Sequence, residues 1–388
     1  MGSAVSRIEV SLEVFHWAIA RGGTTLARLE KKFPKIREWE AGASYPTLHQ
    51  LENFARATHT PFGYFFLDNP PDDRLPIPHF RTIADGPPPE PSPDLLETVY
   101  AMQRRQEWMR EYLLEQGVEP LPFIRSARPR DPLAAIAERM RQVVHLEKGW
   151  AAACPTWEDA LRVLRAALEQ AGVLIVGNSI VENDTHRKLN PEEFRGFVLV
   201  DEIAPLVFLN TADAKAAQMF TLAHEMAHLA FGSSAAFDLR RMEPADDPGE
   251  RACNRVAAEF LVPEEQLRGI WPSLRGDPEP FQALARRFKV SVLVAARRAL
   301  DLGLIPREGF FEFYKNYLSD ERRKTALAVG RPDFYKNQNL RVGRVFASAV
   351  ARAVGEGKLL YSQAYRLTGL YGAAFQHYTN SLHTGAAR

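Results

Sequence analysis

Apolar residues recur three and four apart through the first part of the chain: Leu26, Leu29, Ile36, Leu48, Leu51, Phe54 and Ala55. That period places them on one face of short helices over residues 11–68. Gly42 and Pro46-Thr47 punctuate the pattern, and Thr47 predicts the start of a helix running through Ala57. The period then breaks. Five prolines fall between Pro87 and Pro93, which cannot continue a helix and favour an extended spacer. Asp94 begins a charged helix to about Gly117. Asp131-Pro132 predicts an N-cap followed by proline at the first helical position, and Thr156 predicts the cap of a helix ending at Gly172.

After Gly172 the period shortens. Residues 173–176, 197–200 and 206–209 are continuous apolar runs of strand length. The loop 201–205 joins the last two as a hairpin. Helical periods return over 213–231, 249–262, 278–288, 292–302, 340–356 and 361–369. The pattern predicts an α+β chain, predominantly α-helical, with a small antiparallel sheet.

Composition narrows the function classes. The 388 residues hold 49 Lys+Arg against 48 Asp+Glu, a net charge of +1. That balance excludes a strongly basic nucleic-acid coat or a polybasic membrane binder as the whole protein. Hydrophobic residues at 46% and charged residues at 25% exclude wholesale disorder. Cys154 and Cys253 are the only cysteines, which suits a reducing compartment. No signal-peptide pattern and no run of ~20 apolar residues occurs. The expectation is a soluble cytoplasmic protein.

Chemistry concentrates in Thr221-Leu-Ala-His224-Glu225-Met-Ala-His228-Leu-Ala-Phe-Gly232. His224 and His228, four apart on a helix, place two imidazoles on one face, where they converge on one ion. Glu225 follows the first histidine, placed to take a proton from a water activated by that ion. Met219, Leu222, Met226 and Leu229 form the core stripe of the same helix, and Gly232 stops it. A catalytic zinc needs a third protein ligand and an open position. Glu250, 22 residues after His228, leads a helix whose apolar side holds Cys253, Val256, Ala257, Phe260 and Leu261. A carboxylate near that side wants a cation. The other role open to Glu250 is capping, since Asp247, Pro248 and Glu250 fit a capping box. Glu259, roughly half a turn away from Glu250 on the helix, and Glu243 are the alternative ligands. Asn254 lies one turn after Glu250, either behind a ligand or as a polar core contact. His186, in the loop Asn183–His186, is a candidate oxyanion donor if that loop folds over the site and a surface histidine otherwise.

TLAHEMAHLAFG followed by ERACNRVAAEFLVP resembles the ImmA/IrrE metallopeptidase family, whose pattern is HExxH and then an ExxAN-x-FAAELLMP helix. The resemblance implies that His224, His228 and Glu250 ligate zinc and that Glu225 is the catalytic acid/base; two histidines and a carboxylate also accept manganese or iron. Cys253 stands where the family has alanine. By resemblance the strand over Leu206, Phe208 and Asn210 is a sheet edge along which a substrate backbone pairs. Ile36-Arg-Glu-Trp39-Glu-Ala-Gly42, with Tyr45-Pro-Thr47, Leu51 and Phe54-Ala55, is similar to the signature of the repressor-like (XRE-type) helix-turn-helix. Leu75-Pro-Ile-Pro-His-Phe80-Arg81 resembles the stretch joining that module to the peptidase in longer members.

Four parts follow: a degenerate helix-turn-helix module at 1–85, a proline-rich linker with connecting helices at 86–150, a zincin-like metallopeptidase domain at 151–315, and a helical C-terminal region at 316–388. The implied function is zinc-dependent cleavage of a specific cytoplasmic regulator, a DNA-binding repressor or an antitoxin. That cleavage would control a stress, mobile-element or toxin–antitoxin response. The alternative is a DNA-binding regulator with a structural or sensory metal and no hydrolysis. Residues 21–40 carry six basic against three acidic side chains, but Phe33-Pro34 cuts the segment where a recognition helix should run. The module therefore suits packing or protein recognition better than DNA.

Overall fold

A computed structural model describes residues 7–72, 79–80, 91–128, 130–233, 235–237, 247–319 and 338–385. The chain divides into two compact units. One takes in Met1–Pro76 and Pro89–Glu97, the other Ile77–Pro88 and Thr98–Arg388.

The first unit is helical: α1 Leu12–Arg21, α2 Leu26–Glu30, α3 Ile36–Glu40 and α4 Leu48–Ala57, then a 3-10 turn over Phe62–Phe66. Thr47 caps α4 through a capping box with Gln50. Phe54 is fully buried, stacked on Phe15 at 4.9 Å and flanked by the rings of Phe33, Trp39 and Phe65. Helices α2 and α3 hold five residues each, because Pro34 falls between them. The region is compatible with a shortened helix-turn-helix.

The second unit is helix-dominated around a small sheet, the α+β class the pattern implies. Its helices include α5 Pro93–Glu115, shared with the first unit, α6 Leu133–Val143, α7 Trp157–Gln170, α8 Lys215–Phe231 and α9 Pro248–Leu261. Next come α10 Glu264–Leu274, α11 Pro280–Phe288, α12 Val292–Asp301 and α13 Arg307–Ser319. Beyond them lie α14 Arg344–Gly355, α15 Tyr361–Thr368 and α16 Gly372–Gly385. Thr156 caps α7 by accepting from the Asp159 backbone at 3.1 Å. Asp131 does not cap α6. That helix begins at Leu133 with Pro132 in the cap position, and the Asp131 carboxylate pairs with Arg139 at 2.9 Å.

The strands are β1 His79–Phe80, β2 Leu174–Asn178, β3 Ile180–Val181, β4 Asp184–Lys188, β5 Gly196–Leu199, β6 Leu206–Asn210 and β7 Ala235–Phe237. The sheet order is β1-β7-β5-β6-β2, with β3 and β4 forming a separate pair. The expected hairpin is present: β5 and β6 pair antiparallel, Gly196 opposite Leu209. The sheet around it is mixed, since β2 joins β6 and β1 joins β7 in parallel. This topology corrects the edge-strand expectation. β6 has partners on both sides, so its backbone groups are spent within the sheet. Leu206, Phe208 and Asn210 are all buried, Phe208 stacked on Phe197 at 5.0 Å. The Asn210 amide is used on Phe194 O at 3.1 Å. None of the three offers a surface to a substrate. His186 sits exposed on β4 rather than in a loop.

Helix α8 lies between this sheet and the neighbouring helices, touching β5, β6, α7 and α9. Met219, Leu222, Met226 and Leu229 are buried in one cluster with Ile175, Val198, Val207, Leu209, Val256 and Phe260. Gly196 lets β5 approach α8. A Cβ there would stand 2.7 Å from Thr221 Cγ2 and 2.8 Å from the backbone oxygen of Phe208. Gly196→Ala is therefore expected to destabilise the protein by about 1–3 kcal/mol, read as a lower denaturation midpoint. An unchanged midpoint would contradict this packing.

Arg105 of α5 fastens the C-terminal helices to this unit. Its buried guanidinium donates to Leu367 O and Arg341 O, each at 2.8 Å.

Candidate metal centre

Every residue of α8 from Gln218 to Ala230 is buried. A helix buried all round is expected to be apolar, because each desolvated polar group needs a partner. His224, Glu225 and His228 break that rule within five positions. Something inside the fold must therefore answer them.

Part of the answer is Glu250, at the start of α9. Asp247 caps α9 by accepting from the backbone N–H groups of Gly249 at 2.7 Å and Glu250 at 3.0 Å, with Pro248 following the cap. The cap thus uses the Glu250 backbone and leaves its carboxylate to face α8. One oxygen lies 3.1 Å from His224 Nε2 and the other 3.1 Å from His228 Nε2. The two Nε2 atoms are 2.9 Å apart. The three residues each bring a ligand atom to one point, all within 4.8 Å of one another.

This arrangement fits a divalent ion. A tetrahedral ion with bonds of about 2.0–2.2 Å spaces its ligands by roughly 3.3–3.6 Å, a few tenths more than the triangle here. The electrostatics agree. Burial holds His224 down at about 4, helped by the neighbouring His228, so its imidazole is neutral at neutral pH. Burial raises Glu250, but hydrogen bonds and charge from both histidines prevail and hold it at about 2, ionised. Two imidazoles and one carboxylate are a donor set of the kind that holds zinc while leaving a position open. The same donors accept manganese.

Glu225 stands apart from this set. It is fully buried, and among the described residues neither carboxylate oxygen has a hydrogen-bond partner. Burial, and then the charge of Glu250, raise it well above the usual carboxylate range. The empty Cβ position of Gly196 lies 3.4 Å from Glu225 Oε1, so β5 runs close beside this carboxylate.

The competing ligands lie elsewhere. Glu259 pairs with Arg298 inside the helical layer and accepts from the Glu264 backbone at 3.3 Å. Glu243 falls outside the described residues. Cys253 is buried, its thiol pushed up by desolvation and then by the carboxylates around it. Asn254 lies beside His224, where its side chain acts against the lowering of that imidazole's pKa. Ser233, which motif spacing does not single out, places its hydroxyl 2.9 Å from His228 Nδ1.

Residues 168–300, about a third of the chain, match the model of a peptidase family, M78, described as the IrrE N-terminal-like domain. The matched stretch carries β2, β5, β6, α8 and α9. Residues 342–381 match a domain of unknown function. No curated protein matches the chain. Among the described residues no helix is long and apolar enough to cross a membrane.

Proposed function

We propose that the chain is a zinc-dependent endopeptidase that cleaves a specific regulatory protein in the cytoplasm, of the repressor or antitoxin type. The observation that carries this reading is Glu225, a fully buried carboxyl whose two oxygens have no partner among the described residues, beside a His–His–Glu triangle. A purely structural metal site needs ligands but has no use for a carboxyl that ligates nothing. That weighs against the rival reading, a DNA-binding regulator with a structural metal. The five-residue helices α2 and α3 weigh the same way, being too short to lie along a DNA groove as a recognition helix. The N-terminal unit is then read as a degenerate helix-turn-helix module that recognises the protein partner.

When bound, the ion supplies Lewis acidity toward a carbonyl oxygen and lowers the pKa of a water. The chain supplies the rest. His224 and His228 would hold the ion through Nε2, and Glu250 adds one negative charge. Glu225 takes the proton of the attacking water and returns it to the leaving amide nitrogen. Burial raises its pKa, the direction that lets a carboxyl hold a proton between the two transfers.

Comparing new protein N-termini in a cell extract treated with the zinc-loaded wild type or with Glu225→Gln tests the reading. One or a few new termini are expected with the wild type alone. Identical profiles from the two proteins would contradict it.

A further inference from the structure

Helix α8 ends in a turn whose geometry reaches back to a metal ligand. Gly232 adopts a left-handed conformation at φ 77°, which favours glycine because it has no Cβ to clash. The Gly232 N–H bonds to Leu229 O at 3.2 Å, and the Ser233 N–H to His228 O at 3.1 Å. These are the two crossing bonds of a Schellman motif, in which the residue after the glycine lies over the residue five positions earlier. That earlier residue is His228. The turn thus carries the Ser233 side chain to the His228 ring, and the hydroxyl lies 2.9 Å from Nδ1.

The chemistry follows from the two nitrogens. Nε2 points at His224 and Glu250. To hold an ion there, it must keep its lone pair, so the ring proton must sit on Nδ1. A proton on Nδ1 needs an acceptor, and the oxygen at that position belongs to Ser233. We propose that Ser233 is a positioning residue for the metal centre: its hydroxyl accepts the Nδ1 proton of His228, fixing the ring orientation and the tautomer that ligates through Nε2. The proposal rests on the metal-centre reading above but requires no hydrolysis. Residue 233 is exposed, so its side chain supports no core packing, and the turn's backbone bonds do not depend on the hydroxyl.

The test compares zinc affinity, by competition with a chelator, in the full-length wild type, Ser233→Ala and Ser233→Thr. Ser233→Ala is expected to bind zinc about 10–100-fold more weakly. Ser233→Thr, which keeps the hydroxyl, is expected to stay near the wild type. The melting temperature of the metal-free proteins should be the same, separating positioning from folding. In zinc-loaded wild type, a long-range ¹H–¹⁵N spectrum should place the His228 proton on Nδ1. Equal affinities for wild type and Ser233→Ala, or a His228 proton on Nε2 in the loaded protein, would overturn the proposal. A wild type that binds zinc but cuts no protein would defeat the peptidase reading and leave the Ser233 comparison intact. A wild type that binds no zinc would bring both down.

Discussion

Glu225→Gln is expected to lower peptide hydrolysis by about 10²–10⁴-fold while metal binding stays at the wild-type level. Glutamine matches glutamate in size, so the buried pocket beside Gly196 and Thr221 keeps its packing. It cannot accept and return a proton, so the loss falls on the chemical step. Glu225 also lies outside the His–His–Glu cluster, so the donors to the ion are untouched. Glutamine carries no charge, so burying it costs no more than burying the carboxylate did. Folding stability should therefore change little. Activity and metal content measured on the same preparation check this. Retained hydrolysis would remove Glu225 from the mechanism, and lost metal would make it a ligand.

Glu259→Gln is expected to do the reverse: the metal stays and the fold weakens by about 3–5 kcal/mol. Glu259 is nearly buried and paired with Arg298, which is itself nearly buried and donates to Val262 O at 3.1 Å. Removing the carboxylate charge strands that guanidinium in a low-dielectric interior, which costs more than the intact pair contributed. Arg141 donates to the carbonyls of Glu259 and Phe260 at 3.3 Å, so the disturbance reaches the end of α9. Glu250 lies at the other end of that helix. Denaturant unfolding and metal analysis together separate the two glutamates. A variant of unchanged stability would mean that the pair is dispensable.

Much of the candidate metal centre was legible in the sequence because it is built from local rules. Helical spacing puts His224 and His228 on one face. Asp247, Pro248 and Glu250 announce the start of α9 whichever way the Glu250 side chain points. That choice is tertiary: the capping oxygen comes from Asp247, and the two imidazoles from α8 decide where the carboxylate goes. The β5–β6 hairpin was readable for the same reason, a short loop between two apolar runs. Its place in the sheet was not, because β2 lies some thirty residues upstream and pairs in parallel. That one long-range pairing turns β6 from an edge into an interior strand. Helix α10 escapes the apolar period because Gly269 and Pro272 interrupt it. Helix α13 escapes because only Phe310 is buried along it, so no apolar stripe is demanded. Ser233 is silent as a motif and acquires meaning only from the left-handed turn at Gly232.

The central claim is that His224, His228 and Glu250 hold one catalytic ion. Elemental analysis of the wild type beside Glu250→Gln, each supplied with zinc and then dialysed, addresses it directly. About one zinc per wild-type chain, lost in Glu250→Gln, is the result this account predicts. A wild type without metal, or a Glu250→Gln variant that keeps it as tightly, would contradict it.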